Sequence, residues 1–125
     1  MSALPSRCVP CERGGAALTA AAAAALRSEH CPLWTLDFPH LRRSFELRDF
    51  RAALAWINRV GMLAEEQGHH PDFHLFGWNR VELVLWTHAV DGLSDNDFVL
   101  AKKIDELAAS DGIAGPGAAP GRPSG

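Results

Sequence analysis

The sequence predicts an α+β sandwich, a four-stranded antiparallel sheet with three helices packed on one face, in the order helix, strand, strand, helix, strand, strand, helix. Three observations carry that expectation. Three segments combine helical spacing or high helix propensity with a capping residue at the start. Two pairs of short, roughly alternating segments lie between them, and each pair is joined through a turn sequence.

Thr19 caps a first helix that runs through Ala20 to Ala25 and Leu26 to about His30, where Pro32 ends it. High propensity decides this assignment more than amphipathicity does. Trp34 to Phe38 reads as a short strand, Pro39 and His40 as its turn, and Leu41 to Leu47 as a second strand. Asp49 then caps the clearest helix, in which Phe50, Ala53, Leu54, Ile57, Val60, Gly61 and Ala64 recur at three-to-four spacing through about Gln67. Gly68 terminates it, and Pro71 biases His70 away from helical angles. Two histidines, His69 and His70, are thereby held at a helix-to-strand corner.

Asp72 to Trp78 and Arg80 to Thr87 read as two further strands, joined through Gly77, Trp78, Asn79 and Arg80. In the second of these, Val81, Leu83, Leu85 and Thr87 share the face expected to meet the helices, and Glu82, Val84, Trp86 and His88 share the other. His88 is thus expected at a strand end, where a side chain can serve a pocket. Asp91-Gly92 makes a turn, and Ser94 with Asp97 resembles a capping box for a last helix, Asp95 to about Ala109, with Leu100, Ile104 and Leu107 as its buried stripe. The far face of the sheet is left for subunit contacts or substrate.

With 125 residues, 47% apolar and 22% charged, the chain is expected to be one soluble domain. Residues 1–15 read as an arm, 16–109 as the folded domain, and 110–125, with five Gly and three Pro, as a disordered tail. Such a short core leaves much of its surface unburied, so oligomerisation is expected. Twelve Lys and Arg against fifteen Asp and Glu leave a charge of −3, which supplies no field for a polyanion and makes nucleic acid a poor partner. No apolar run is long enough to cross a bilayer and no basic segment leads into a hydrophobic one, so no membrane is expected and the compartment is read as cytoplasmic.

Three cysteines, an odd number, argue against a disulfide-built module. Cys8 and Cys11 form a C-x2-C pair and Cys31 follows His30, which raises a zinc site or a redox pair, but the second tight pair of a structural zinc site is missing. An incidental feature of a loose leader is the favoured reading. Six histidines are present, and His69, His70, His74 and His88 fall close together. Histidine suits proton transfer in both directions near neutral pH, and two beside one pocket can hold an acid and a base together. Such a site suits elimination or addition of water.

A zinc pair of His70 with His74 is opposed by Pro71 and by the strand that follows it, and a set of His69, His70 and His88 by the uncommon geometry of adjacent ligands on one short segment. Neither a dinucleotide fingerprint, nor a phosphate-binding glycine loop, nor a nucleophile elbow is found. Glu65 lies four residues before His69 and is placed to face it, with a solvated helix end as the alternative. Asp97 reads first as a helix cap. Trp78 and Trp86 are candidates to stack on a flat heterocycle or to fill the core, and Phe73 to fill the core or form a pocket wall.

Taken together, Glu65, His69-His70-Pro71, Trp78, His88 and Asp97 at these separations, with Gly92-Leu93-Ser94 before the aspartate, resemble the signature of the pterin-4a-carbinolamine dehydratase family. The resemblance covers roughly Trp34 to Ala109, and the Cys8/Cys11 leader is similar to that of bacterial members. It implies the same order of elements and a homodimer or homotetramer. Chemically it implies a hydro-lyase that dehydrates 4a-hydroxytetrahydropterin to quinonoid dihydropterin, with no metal and no cofactor, recycling pterin for an aromatic amino acid hydroxylase.

By matched position, His69 and His88 resemble the family's two proton-transfer histidines and His70 the one that holds the pterin. Glu65, Pro71, Phe73, Trp78 and Asp97 become substrate-binding or supporting residues. Two departures stand out: Trp78 replaces a more usual tyrosine with one extra residue before it, and the first hairpin is shorter than usual. Family relatives that act as a non-catalytic coactivator or assembly protein supply the alternative, against which the complete histidine set argues.

Overall fold

The computed structural model describes residues 4–9 and 16–113, and its elements run α1 (Ala20–His30), β1 (Thr35–Asp37), β2 (His40–Glu46), α2 (Phe50–Gln67), β3 (Asp72–Phe76), β4 (Arg80–Leu85), a 3-10 turn (His88–Val90) and α3 (Asp95–Ser110). The three helices and the four-stranded antiparallel sheet appear in the expected order. Thr19 caps α1 by accepting the Ala22 amide on its hydroxyl at 3.1 Å, and Asp49 caps α2 by accepting the Ala52 amide at 2.8 Å. The tail expected over 110–125 begins later than that: Ser110 ends α3, Asp111 pairs with Arg59 at 2.8 Å and Ile113 packs against the core, while 114–125 lie outside the described residues.

The sheet is ordered β1-β2-β4-β3 with every pairing antiparallel. Its helix-facing side carries Leu41 and Phe45 from β2 and Val81, Leu83 and Leu85 from β4, all fully buried, against Ala53, Trp56 and Val60 of α2 and Phe98, Leu100, Ala101 and Ile104 of α3. Strand alternation puts Arg42, Glu82 and His74 on the opposite face, where Arg42 pairs with Asp37 at 2.8 Å and Glu82 at 3.6 Å. That face is polar.

Arg43 is a charge on the buried side. It is tolerated because its guanidinium meets the Asp105 carboxylate of α3 at 2.5 Å and lies 4.4 Å over the Phe45 ring, while the Trp34 indole donates to the same carboxylate at 2.7 Å. Burial pushes the Asp105 carboxyl above its ordinary value although Trp34 and Arg43 pull it down.

Several boundaries differ from the sequence reading. Trp34 belongs to the core rather than to β1, and His40 opens β2, paired with Asp37, so the first turn is Phe38-Pro39. The third strand stops at Phe76, leaving Gly77 to Asn79 as the turn. The fourth stops at Leu85: Thr87 pairs with Gly92 in an isolated bridge, and His88 opens the 3-10 turn instead of ending a strand.

The leader is not loose where it is described. Cys8 N–H donates to Gln67 Oε1 at 2.9 Å, Val9 N–H to Asn96 Oδ1 at 2.9 Å, and Asn96 Nδ2 to the Val9 carbonyl at 2.6 Å. Residues 8 and 9 therefore join the C-terminal end of α2 to the N-terminal end of α3. Cys8 donates its thiol to the Asn96 carbonyl at 3.5 Å; Cys31 is fully buried, its thiol pushed up to about 12 chiefly by that burial. Burial of this kind lowers the reactivity of a thiol. Cys11 lies outside the described residues.

Candidate active site

The histidine corner is built by the end of α2. Gly68 takes the left-handed conformation at φ +66, its N–H bonds the Glu65 carbonyl at 3.2 Å and the His69 N–H bonds the Ala64 carbonyl at 3.2 Å, a Schellman ending. That reversal sends His69 inward and His70 outward. His69 is 9% exposed and His70 is on the surface, followed by buried Pro71.

His69 Nε2 lies 2.7 Å from Asp97 Oδ1. Asp97, completely buried at the first turn of α3, accepts two more bonds on Oδ2: from the Thr87 hydroxyl at 2.7 Å and from the Ser94 amide at 3.0 Å. Because the one Thr87 proton goes to Asp97, the Ser94 hydroxyl donates in the 2.8 Å contact with Thr87. The hydrogen-bond network thus assigns Nε2–H to the carboxylate and leaves Nδ1 as the second ring nitrogen of His69. The aspartate that caps the last helix is also the partner of the buried histidine.

His70 Nε2 meets Glu65 Oε2 at 2.7 Å, with both side chains exposed. Glu65 therefore faces His70 rather than His69, a correction that follows from the turn at Gly68. His88 is exposed in its 3-10 turn, and its ring lies on that of Trp86 with centroids 3.8 Å apart and planes tilted by 37°. Trp86 in turn points its indole N–H at Asp72 Oδ2, 3.4 Å away, and makes a T-shaped contact with His40 at 5.2 Å.

Two routes consequently tie the three histidines to one end of the sheet. The first runs from His69 through Asp97 to Thr87, the residue before His88. The second runs from His70 through Pro71 to Asp72, whose carboxylate faces the tryptophan under His88. Phe73 sits beside this corner on the helix-facing side, partly buried against the core.

Trp78 is not brought there. It occupies the β3–β4 turn at φ +58, 45% exposed, beyond the Phe76–Arg80 pair. The hairpin end that holds Asp72 is four residue steps away, about 13 Å along the strand. His74 lies exposed on the polar sheet face. Among the described residues no three His, Cys, Asp or Glu side chains gather as a metal site.

Sequence reasoning passed over Thr87, Asp72 and the pairing role of Trp86. Thr87 did carry a signal: it is a hydroxyl in phase with Val81, Leu83 and Leu85 on the buried face, so it needed an internal partner. As a set, the arrangement offers one buried, carboxylate-oriented imidazole, one exposed imidazole held by a glutamate and one exposed imidazole held by stacking. Such a set can protonate one position of a substrate and deprotonate another.

Comparison with known proteins gives the family and the fold. Residues 16–107 match the family model described as pterin 4 alpha carbinolamine dehydratase. A Rubrobacter xylanophilus protein, one of several bacterial relatives that bear the dehydratase name provisionally, is 50% identical over 101 residues, spanning 80% of this chain and 92% of its own. The Arabidopsis thaliana protein named pterin-4-alpha-carbinolamine dehydratase 2, mitochondrial, is 43% identical over 110 residues, 84% of this chain and 58% of its own. Among solved structures, a Brucella melitensis protein titled transcriptional coactivator/pterin dehydratase superposes with a TM-score of 0.64 at 26% identity, covering 74% of this chain and 98% of its own. On the family match and on relatives of this similarity, the chain belongs to the pterin-4a-carbinolamine dehydratase family.

Proposed function

We propose that this protein is a hydro-lyase that dehydrates 4a-hydroxytetrahydropterin to quinonoid dihydropterin and water by histidine general acid–base catalysis. The observation that carries the reading is the His69–Asp97–Thr87 connection, which orients a buried imidazole and anchors the residue next to His88. In the reaction the C4a–O bond breaks, the hydroxyl leaves as water with a proton from one histidine, and the N5 proton passes to another. His69 and His88 are the proton-transfer pair, and His70, steadied by Glu65, holds the pterin. Asp97 orients His69, Pro71 sets the corner and Phe73 backs it. Trp78 lies outside this chain's site.

No electron is transferred and no Lewis acid is needed to expel water once the hydroxyl is protonated, so the proposal includes neither metal nor redox cofactor. In the cell the activity would regenerate pterin for an aromatic amino acid hydroxylase, in the cytoplasm. No helix among the described residues is long and apolar enough to cross a membrane. We also propose a homodimer or homotetramer, on the strength of an exposed apolar row on α2. The name of the Brucella relative pairs dehydratase with transcriptional coactivator, so a non-catalytic binding role is the second reading.

The deciding experiment follows 4a-hydroxytetrahydropterin dehydration in the presence of a chelator and without nucleotide. Acceleration over the spontaneous rate is expected, with His69→Ala and His88→Ala each about 100-fold slower in kcat. A wild-type rate equal to the spontaneous one would sink the enzyme reading and favour the binder.

A further inference from the structure

The three histidines of the corner are not held alike. His69 and His70 each have a ring nitrogen on a carboxylate, Asp97 and Glu65, at 2.7 Å. His88 is held differently: among the described residues the contact that sets its imidazole is the Trp86 indole, 3.8 Å between centroids. The difference has chemical content. A hydrogen bond to a ring nitrogen fixes the tautomer and occupies that nitrogen, whereas stacking fixes the plane of the ring and occupies neither.

Trp86 is itself placed by its neighbours. It follows the last residue of β4, with the ring of His40 at the start of β2 inclined to it by 81° and Asp72 at the start of β3 opposite its N–H. Both adjacent strands thus contribute a side chain to the indole, and the indole hands its orientation to His88. We propose that Trp86 is the positioning residue for His88, holding the imidazole by its face so that both ring nitrogens stay available to the substrate. This rests on the dehydratase reading and deepens it: the group that must give up and recover a proton is oriented without losing either nitrogen to the protein.

The test pairs kinetics with a measurement independent of turnover. Trp86→Ala is expected to lower kcat by about 10- to 100-fold with KM within about twofold, because a displaced catalytic group loses rate rather than binding. Trp86→Phe, which keeps an aromatic face, is expected to restore most of that loss. The double variant Trp86→Ala/His88→Ala should be no slower than His88→Ala alone, since the tryptophan acts through the histidine. Proton NMR of the imidazoles supplies the second readout: a stacked His88 ring proton should be shifted upfield by the indole ring current, and the shift should vanish in Trp86→Ala and persist in part in Trp86→Phe.

Should Trp86→Ala fail to fold, Trp86→Leu fills more of the volume and carries the same expectations. Full kcat in Trp86→Ala, a rate loss that adds to that of His88→Ala, or an unshifted His88 resonance in the wild type overturns the proposal. If instead the shift disappears as expected while His88→Ala turns over like the wild type, the dehydratase assignment of His88 fails and its placement by Trp86 stands.

Discussion

Asp97 closes a helix and holds a histidine with the same carboxylate, and its two oxygens divide the work. Three donors converge on it, so an amide in its place cannot satisfy all of them. With Asp97→Asn, the carbonyl oxygen stays with the Ser94 backbone N–H, which can only donate, and with the Thr87 hydroxyl beside it. The NH2 group is then turned toward His69 and forces its Nε2 to become an acceptor. The tautomer inverts and the proton moves to Nδ1, the nitrogen left for chemistry. We expect Asp97→Asn to fold, with the Ser94–Asp97 contact largely kept, and to lose about 100-fold in kcat. Thr87→Val, which removes one donor and leaves the histidine its carboxylate, should lose far less. Equal kcat for Asp97→Asn and the wild type would show that His69 needs no oriented tautomer.

Only part of this was legible in the sequence. The His-His-Pro corner and the capping spacing of Ser94 and Asp97 are local, and both were read. The partner of His69 stands 28 positions away and meets it only through the packing of α2 on α3. Local spacing instead suggested Glu65, a step of four, but the left-handed Gly68 breaks the helical phase at that point and gives Glu65 to His70.

At the scale of elements, α2 positions the corner, and both of its ends were readable because capping chemistry is local. Its start depends on Asp49, whose carboxyl is held below the usual aspartate value chiefly by the Ala52 amide, with Arg48 and Arg51 adding to the effect. A carboxyl depressed in the folded state contributes stability that is complete above its unfolded value, near 3.8, and that disappears as pH falls through the folded one. Asp49→Ala should therefore melt lower than the wild type at pH 7, by about 5 °C. The gap should close as the pH is taken below 3.8. A gap that persists unchanged at low pH would mean that the cap acts without its charge.

Strand ends were less legible, for a reason visible at β4. The alternation of Glu82, Val84, Trp86 and His88 continues past the point where the backbone leaves the sheet. Thr87 and Gly92 exchange bonds of 2.6 and 3.3 Å, Asp91 turns at φ +50, and this small loop lifts His88 out of the pleat. Side-chain periodicity records which face a residue prefers, and His88 does remain beside Trp86. Where the ladder stops is not encoded in that pattern.

On the scale of the whole molecule, the two outer surfaces differ in a way that composition could not reveal. The open sheet face, which the sequence left for either subunit contacts or substrate, is laced with charge by Arg42, Asp37 and Glu82. The outer side of α2 instead carries Phe50 at 49% exposure, Leu54 at 42% and Met62 at 71%, separated by multiples of four residues. Phe50 and Leu54, four apart, share a helix face, and Met62 lies on the same ridge beyond the exposed Asn58, so the row is apolar at three of its four positions and is the kind of surface that a second helix covers. The homo-oligomer proposed above would then form through the helical layer, away from the charged sheet. Leu54→Glu places a charge in the middle of that row without touching the core, because Leu54 points outward. Light scattering coupled to size exclusion should find the wild type as a dimer or tetramer at micromolar concentration and Leu54→Glu shifted to lower mass. The route from His69 through Asp97 to Thr87 is closed within one chain, so the dissociated variant should keep its per-chain dehydration rate within about threefold, well short of the loss expected from removing an acid–base group. A monomeric wild type would remove the oligomer from the proposal, whereas dissociation with a collapse in rate would mean that the neighbouring subunit completes the site.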